Sequence, residues 1–205
     1  MTVLLILAGY LVGSIPVAWL LTKMVSGRDL RELGSGNVGV LNTALSVHRW
    51  TAALVFLLEA FKGALAVIVP RSLGASEFEI GCAVIAAFVG TRWSIWLRGR
   101  GGRGNTLGAA ALAVYSPFAL ALVVVIYLAA RFSTHSNFLA MRVMLLILPI
   151  VFGIVTQSWI AVLFGGVFAL LFLTTHQPET DDHLLLKQKF PTLWAFLTAP
   201  RRGDS

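Results

Sequence analysis

Residues 34–42 read G-S-G-N-V-G-V-L-N. Gly34, Gly36 and Gly39 match the pattern G-x-G-x-x-G, and residues 99–104, G-R-G-G-R-G, match it again through Gly99, Gly101 and Gly104. Such a stretch fits either a soluble dinucleotide-binding turn or a loop between membrane helices. The first needs a preceding strand, a surrounding βαβ unit and an acid about 20 residues on. Glu59 falls at that distance from Gly39 but inside an apolar run, and no acid stands at that distance after the second match. The dinucleotide reading is therefore excluded. What survives is the physics of the motif: glycine brings backbone N–H groups close to a ligand. Successive N–H groups form concave anion sites, and arginine adds a planar fork for phosphate oxygens.

The surrounding composition supplies the loops' setting. The 205 residues are 58% hydrophobic and 12% charged, with mean hydropathy +0.84. A membrane span takes roughly 20 apolar residues, so the chain has room for about six or seven of them. The expectation is an all-α polytopic membrane bundle: one integral-membrane domain over 1–205, with 176–205 a short cytoplasmic tail. The net charge of +7 is carried largely by arginines in short loops, as the positive-inside rule describes. Membrane lipid, not nucleic acid, is the partner this implies. Cys82, the single cysteine, permits no internal disulfide and reads as a packing residue.

Taken in order, residues 2–21 form a first span, in which Gly9 and Gly13 make a G-x-x-x-G spacing suited to close helix packing. No Lys or Arg precedes Lys23, so the segment lacks the positive start of a signal peptide. Lys23, Arg28, Arg31 and Arg49 follow, which places this loop in the cytoplasm and the N-terminus outside. Residues 51–69 and 80–97 make the second and third spans, returning to Arg98, Arg100 and Arg103. Both glycine-rich loops thereby fall on one cytoplasmic face. Residues 106–130 read as one long helix or as two broken at Ser116-Pro117; residues 138–155 and 158–174 are apolar again. One helix gives six spans and two give seven.

Glu59 and Lys62 stand three apart and share a helix face. Ionisable groups inside a span face each other or a polar interior, so the pair is either structural glue or a phosphate-lining lysine with its carboxylate partner. His176, at the end of the last span, is placed either to sit at the interface or to donate to a phosphate or hydroxyl. His48, His135 and His183 show no metal-ligand spacing, so no metal and no cofactor are expected. No serine-nucleophile motif is present.

The order D-L-R-E-L-G-S-G-N-V-G-V-L-N (29–42), E-A-F-K-G (59–63) and R-G-G-R-G (100–104), with L-V-G-S-I-P (11–16) ahead of them, resembles a bacterial family. It is similar to the integral-membrane glycerol-3-phosphate acyltransferases that use acyl-phosphate as donor. The resemblance covers residues 9–108 by motif and the remainder by hydropathy and His176. It implies acyl transfer from acyl-phosphate to the 1-hydroxyl of glycerol-3-phosphate in the bacterial cytoplasmic membrane. The products would be lysophosphatidic acid and phosphate, for phospholipid synthesis.

By position the resemblance implies catalytic roles for Ser35, Asn37, Lys62, Arg103 and His176. Substrate binding would fall to Gly34, Gly36, Gly39, Asn42, Arg100, Gly101, Gly102 and Gly104. Arg103 stands where the family has lysine. The chain departs from the pattern at Leu41 (threonine), Leu45 (arginine), Thr91 (histidine), Ser94 (proline) and Glu179 (asparagine). These departures leave open a non-catalytic or altered-substrate paralogue that binds acyl-phosphate or anionic lipid. The Glu59–Lys62 pair also leaves open a small transporter.

Overall fold

The computed structural model describes residues 1–175, together with Leu186, Lys189, Phe190 and Ala195. Most of the expected tail, and His176 with it, lies outside the described residues. The helices are α1 (Thr2–Ser14), α2 (Val17–Ser26), α3 (Val40–Ser46), α4 (Arg49–Ser72), α5 (Glu77–Arg92), α6 (Asn105–Tyr115), α7 (Pro117–Thr134), α8 (Asn137–Thr156) and α9 (Trp159–Thr175). No strand occurs among the described residues. That outcome follows from the solvent, because backbone groups in lipid must be satisfied internally.

Helix ends are set by local chemistry. Ser76 caps α5: its hydroxyl accepts from Glu79 N at 3.4 Å while the Glu79 carboxylate accepts from Ser76 N at 3.0 Å. This capping box starts α5 earlier than the apolar run suggests, at Glu77 rather than residue 80. The stretch 106–130 is broken, because Ser116 caps α7 and Pro117 opens it as a first-turn residue without an N–H to satisfy. The segments Thr2–Ser26, Arg49–Ser72, Glu77–Leu97, Pro117–Thr134 and Asn137–Thr156 are long and apolar enough to cross a membrane. The shorter α6 measures about 16 Å at the helical rise, roughly half a bilayer core.

The first span is present and extends over Thr2–Ser26, with Pro16 interrupting it between α1 and α2. The carbonyls freed there find side-chain donors on other helices. Gly13 O accepts from Thr91 Oγ1 at 3.0 Å, Ser14 O from Ser94 Oγ at 2.6 Å and Ile15 O from Lys62 Nζ at 2.8 Å. The first glycine-rich stretch, in turn, runs directly into a helix, α3, rather than remaining loop to Asn42.

Packing follows the small residues. α1 lies along α5 with Gly9 and Gly13 against the backbone of Ala83 and Ala87; a Cβ on Gly9 would stand 2.6 Å from the Ala83 carbonyl oxygen. The main core joins Phe88 of α5 to Leu107 of α6, Leu145, Leu148 and Phe152 of α8, and Phe168 and Phe172 of α9. Phe88 and Phe168 ring centroids are 4.8 Å apart. The outer surface is apolar, with Leu4, Leu57, Phe61, Val125, Ile154 and Leu170 all exposed. A soluble protein rarely leaves such a surface uncovered; here lipid covers it.

Candidate active site

The first glycine-rich loop is organised from within. Asp29 caps a 3-10 turn, Leu30–Glu32, and its carboxylate meets Arg31 Nη2 at 2.6 Å. Hydrogen bonding to Arg31 holds the Asp29 carboxyl well below the usual range. Leu30, Leu33 and Val38 anchor the loop in a small core with Ala18, Val55 and Leu97. Gly34 and Gly36 take φ of 55° and 72°, which a side chain would strain.

Asn42 sits at the centre with no solvent exposure. Its amide donates to the carbonyls of Leu33 and Asn37, both at 2.9 Å, and of Leu30 at 3.3 Å. Its Oδ1 accepts from Ser35 N at 3.3 Å and Ser46 Oγ at 3.1 Å. Asn42 thus holds the loop together and does not face the cavity described below.

The second loop is pinned to the end of α5. Gly101 N donates to Arg92 O at 3.1 Å and Gly102 N to Thr91 O at 3.0 Å. Gly104 packs over Phe88, so the aromatic core supports the loop from below. These bonds differ from the amide cradle that the glycine pattern suggests. The N–H groups of Ser35, Gly36, Asn37, Gly39, Gly101 and Gly102 are all engaged within the protein. The glycines serve shape, because backbone passes where a Cβ would meet Thr91 O or Val38 O.

A cavity of about 170 Å³ opens between the loops. The first loop contributes Asn37 to Gly39, and α3 contributes Val40 and Leu41. The second contributes Arg103 and Gly104, followed by Asn105, Thr106 and Leu107 from the first turn of α6. Gly104 caps that helix at φ 76°. A helix N-terminus carries a partial positive charge and orphan N–H groups, and with Arg103 beside it this end of the cavity suits an anion. Arg92 adds positive charge nearby: its guanidinium repels that of Arg103, and its buried Nε has no hydrogen-bond partner among the described residues. Glu59, Thr91, Tyr127, Asn137 and Met141 complete the lining, with Tyr127 Oη donating to Asn137 Oδ1 at 2.5 Å.

The residues singled out from sequence therefore separate. Asn37, Gly39, Arg103 and Gly104 come together around the cavity. Ser35 lies directly behind Asn37, its Oγ accepting from Asn37 N at 3.2 Å. Gly34, Gly36, Arg100, Gly101 and Gly102 belong to the loops but not to the lining. Lys62 is buried and does not itself line the cavity: its ammonium lies on Ile15 O and on Glu59 Oε1 and Oε2 at 3.0 and 3.1 Å. Its partner Glu59 reaches the cavity instead. Tyr127 and Asn137 were missed because no motif marks them; Asn137 merely ends a polar stretch between apolar runs. Among the described residues no group of three or more His, Cys, Asp or Glu comes together that could hold a metal.

Helices of membrane-crossing length around a polar cavity with a cationic end define an integral membrane protein. The family model for glycerol-3-phosphate acyltransferase matches residues 3–184. The chain is 42% identical over 147 residues to a glycerol-3-phosphate acyltransferase of Gluconobacter oxydans, covering 70% of each. It is 35% identical over 179 residues to glycerol-3-phosphate acyltransferase 2 of Moorella thermoacetica, covering 87% of this chain and 92% of that one. The fold is similar to that of PlsY, an integral membrane glycerol 3-phosphate acyltransferase. Its glycerol 3-phosphate form superposes with a TM-score of 0.75 at 22% identity, covering 92% of each chain. The chain belongs to the glycerol-3-phosphate acyltransferase family.

Proposed function

We propose that the chain transfers a fatty acyl group from acyl-phosphate to the 1-hydroxyl of glycerol-3-phosphate, releasing lysophosphatidic acid and phosphate. The observation that carries this reading is the cavity itself, where Arg103 and the first turn of α6 face Asn37 and Gly39 of the other loop. Arg103 and the α6 N-terminus hold a phosphate. Asn37, backed by Ser35, orients the reacting groups, while Asn42 and the loop glycines keep that geometry.

Acyl-phosphate is already activated, so positioning and charge stabilisation suffice without a protein nucleophile. The glycerol oxygen bonds to the acyl carbon, the bond from that carbon to the phosphate oxygen breaks, and the departing phosphate takes the hydroxyl proton. Lys62 acts through structure, closing the α1–α2 break. Two departures from the family pattern, Thr91 and Ser94, supply hydroxyls to the same break and so are compatible with an intact site.

We place the protein in the bacterial cytoplasmic membrane as a single domain, N-terminus outside and both loops on the cytoplasmic face, as the arginine-rich loops favour. The test is a donor comparison. Purified protein in lipid receives labelled glycerol-3-phosphate with either palmitoyl-phosphate or palmitoyl-coenzyme A. Labelled lysophosphatidic acid is expected from the first alone; product only from the thioester would overturn the donor assignment.

A further inference from the structure

A carboxylate in a cavity built for anions is costly unless it contacts something the ligand also carries. Glu59 is the acidic residue lining this cavity among the described residues, and its side chain keeps 12% of its exposure. A carboxylate has about four acceptor positions. Lys62 approaches one on each oxygen, at 3.0 and 3.1 Å, while also donating to Ile15 O. The lysine thus fixes the carboxylate from the protein side and leaves acceptor positions for a donor from the cavity side. Among the described residues the lining holds one cation, Arg103, which the chain places beside Gly104 at the start of α6. A phosphate is repelled by Glu59 and attracted by Arg103; a hydroxyl is attracted by Glu59.

We propose that Glu59 accepts a hydrogen bond from a hydroxyl of glycerol-3-phosphate and thereby sets the direction in which the acceptor lies. Its phosphate points to Arg103 and the α6 N-terminus, and its hydroxyl end to Glu59. The proposal rests on the acceptor assigned above and adds the residue that distinguishes a polyol phosphate from a plain alkyl phosphate. In this role Glu59 contacts substrate, and Lys62 positions it.

The experiment compares binding of glycerol-3-phosphate and propyl phosphate, which share the phosphate but not the hydroxyls. Calorimetry on the full chain in lipid nanodiscs serves, with wild type, Glu59→Gln and the neutral pair Glu59→Gln/Lys62→Gln. Wild type is expected to prefer glycerol-3-phosphate by about tenfold, the size of one hydrogen bond to a charged group. Glu59→Gln keeps a neutral acceptor oxygen and should lose the part of that preference that the charge supplies, while binding propyl phosphate no more weakly. Should Glu59→Gln fold poorly, the neutral pair carries the same comparison, because neither member is left as a buried charge. Preference retained in a folded variant overturns the role of Glu59. Wild type that is folded yet binds neither phosphate overturns the acceptor assignment instead, so the two failures are distinguishable.

Discussion

Lys62 Nζ lies 2.8 Å from the carbonyl oxygen of Ile15, across a gap of 47 positions in the chain. A lysine from the second long helix thus fills the break that Pro16 makes in the first. The same ammonium fixes Glu59 at the cavity wall, so one side chain couples the α1–α2 break to the site.

Replacing Lys62 by methionine strands the Glu59 carboxylate and leaves the Ile15 carbonyl with only the Val17 N–H. Breaking one side of a buried pair costs about 3–5 kcal/mol. Lys62→Met is expected to unfold at markedly lower temperature in detergent, with Arg103→Ala close to wild type. Equal thermal stability of Lys62→Met and wild type would contradict the clamp.

Asn42→Ala removes the side-chain bonds that tie Leu30, Leu33, Ser35 and Asn37 together, leaving the Leu33 and Asn37 carbonyls only the backbone N–H groups of Gly36 and Gly39 and the Ser35 N–H without its acceptor. Each buried unsatisfied group costs about 1–3 kcal/mol. Faster hydrogen exchange is expected across residues 33–39 with little change in α8, together with loss of turnover. Normal exchange in that loop would show that Asn42 does not organise it.

The α1–α5 contact depends on Gly9 and Gly13 having no side chain. Gly13→Ala places a methyl on the Ala87 carbonyl, and overpacking of this kind costs about 1–3 kcal/mol. A reduced folded yield is expected, restored by no change in substrate concentration. A folded, fully active Gly13→Ala would mean the helices have room to separate.

Much of this was legible beforehand, and the limits have physical causes. The Gly9–Gly13 spacing and the Pro117 break are local signals, and the structure uses both. The partners of Lys62 were only half visible, because an i, i+3 spacing reveals Glu59 but not a carbonyl brought alongside by folding. Thr91 and Ser94 read as losses against the family pattern, whereas in space their hydroxyls serve Gly13 and Ser14. The glycine pattern alone does not show where the amides go: in space they meet the Leu33 and Asn37 carbonyls, the Ser35 and Asn42 side chains and the Thr91 and Arg92 carbonyls of α5. Tyr127 and Asn137 enter the cavity from helices whose sequence is apolar and without motif.

The Asp29–Arg31 pair gives the first loop a pH dependence. The Asp29 carboxyl is held below its unfolded value, so its contribution is present above the ordinary carboxylate range and disappears as pH falls below about 4. The pair is partly exposed, so the effect is modest and weakened by salt. Asp29→Asn should flatten the acid limb of a stability–pH profile and leave the neutral region nearly unchanged; an unaltered acid limb would exclude the pair as its source.

Acyl transfer by the purified protein in lipid, supplied with palmitoyl-phosphate and labelled glycerol-3-phosphate, most directly tests whether the Arg103 cavity is the active site. Wild type is expected to form labelled lysophosphatidic acid, and a folded Arg103→Ala to lose at least about a hundredfold of that rate, as for removal of a group that stabilises developing charge. Equal turnover of the two proteins, or no product from folded wild type, would contradict it.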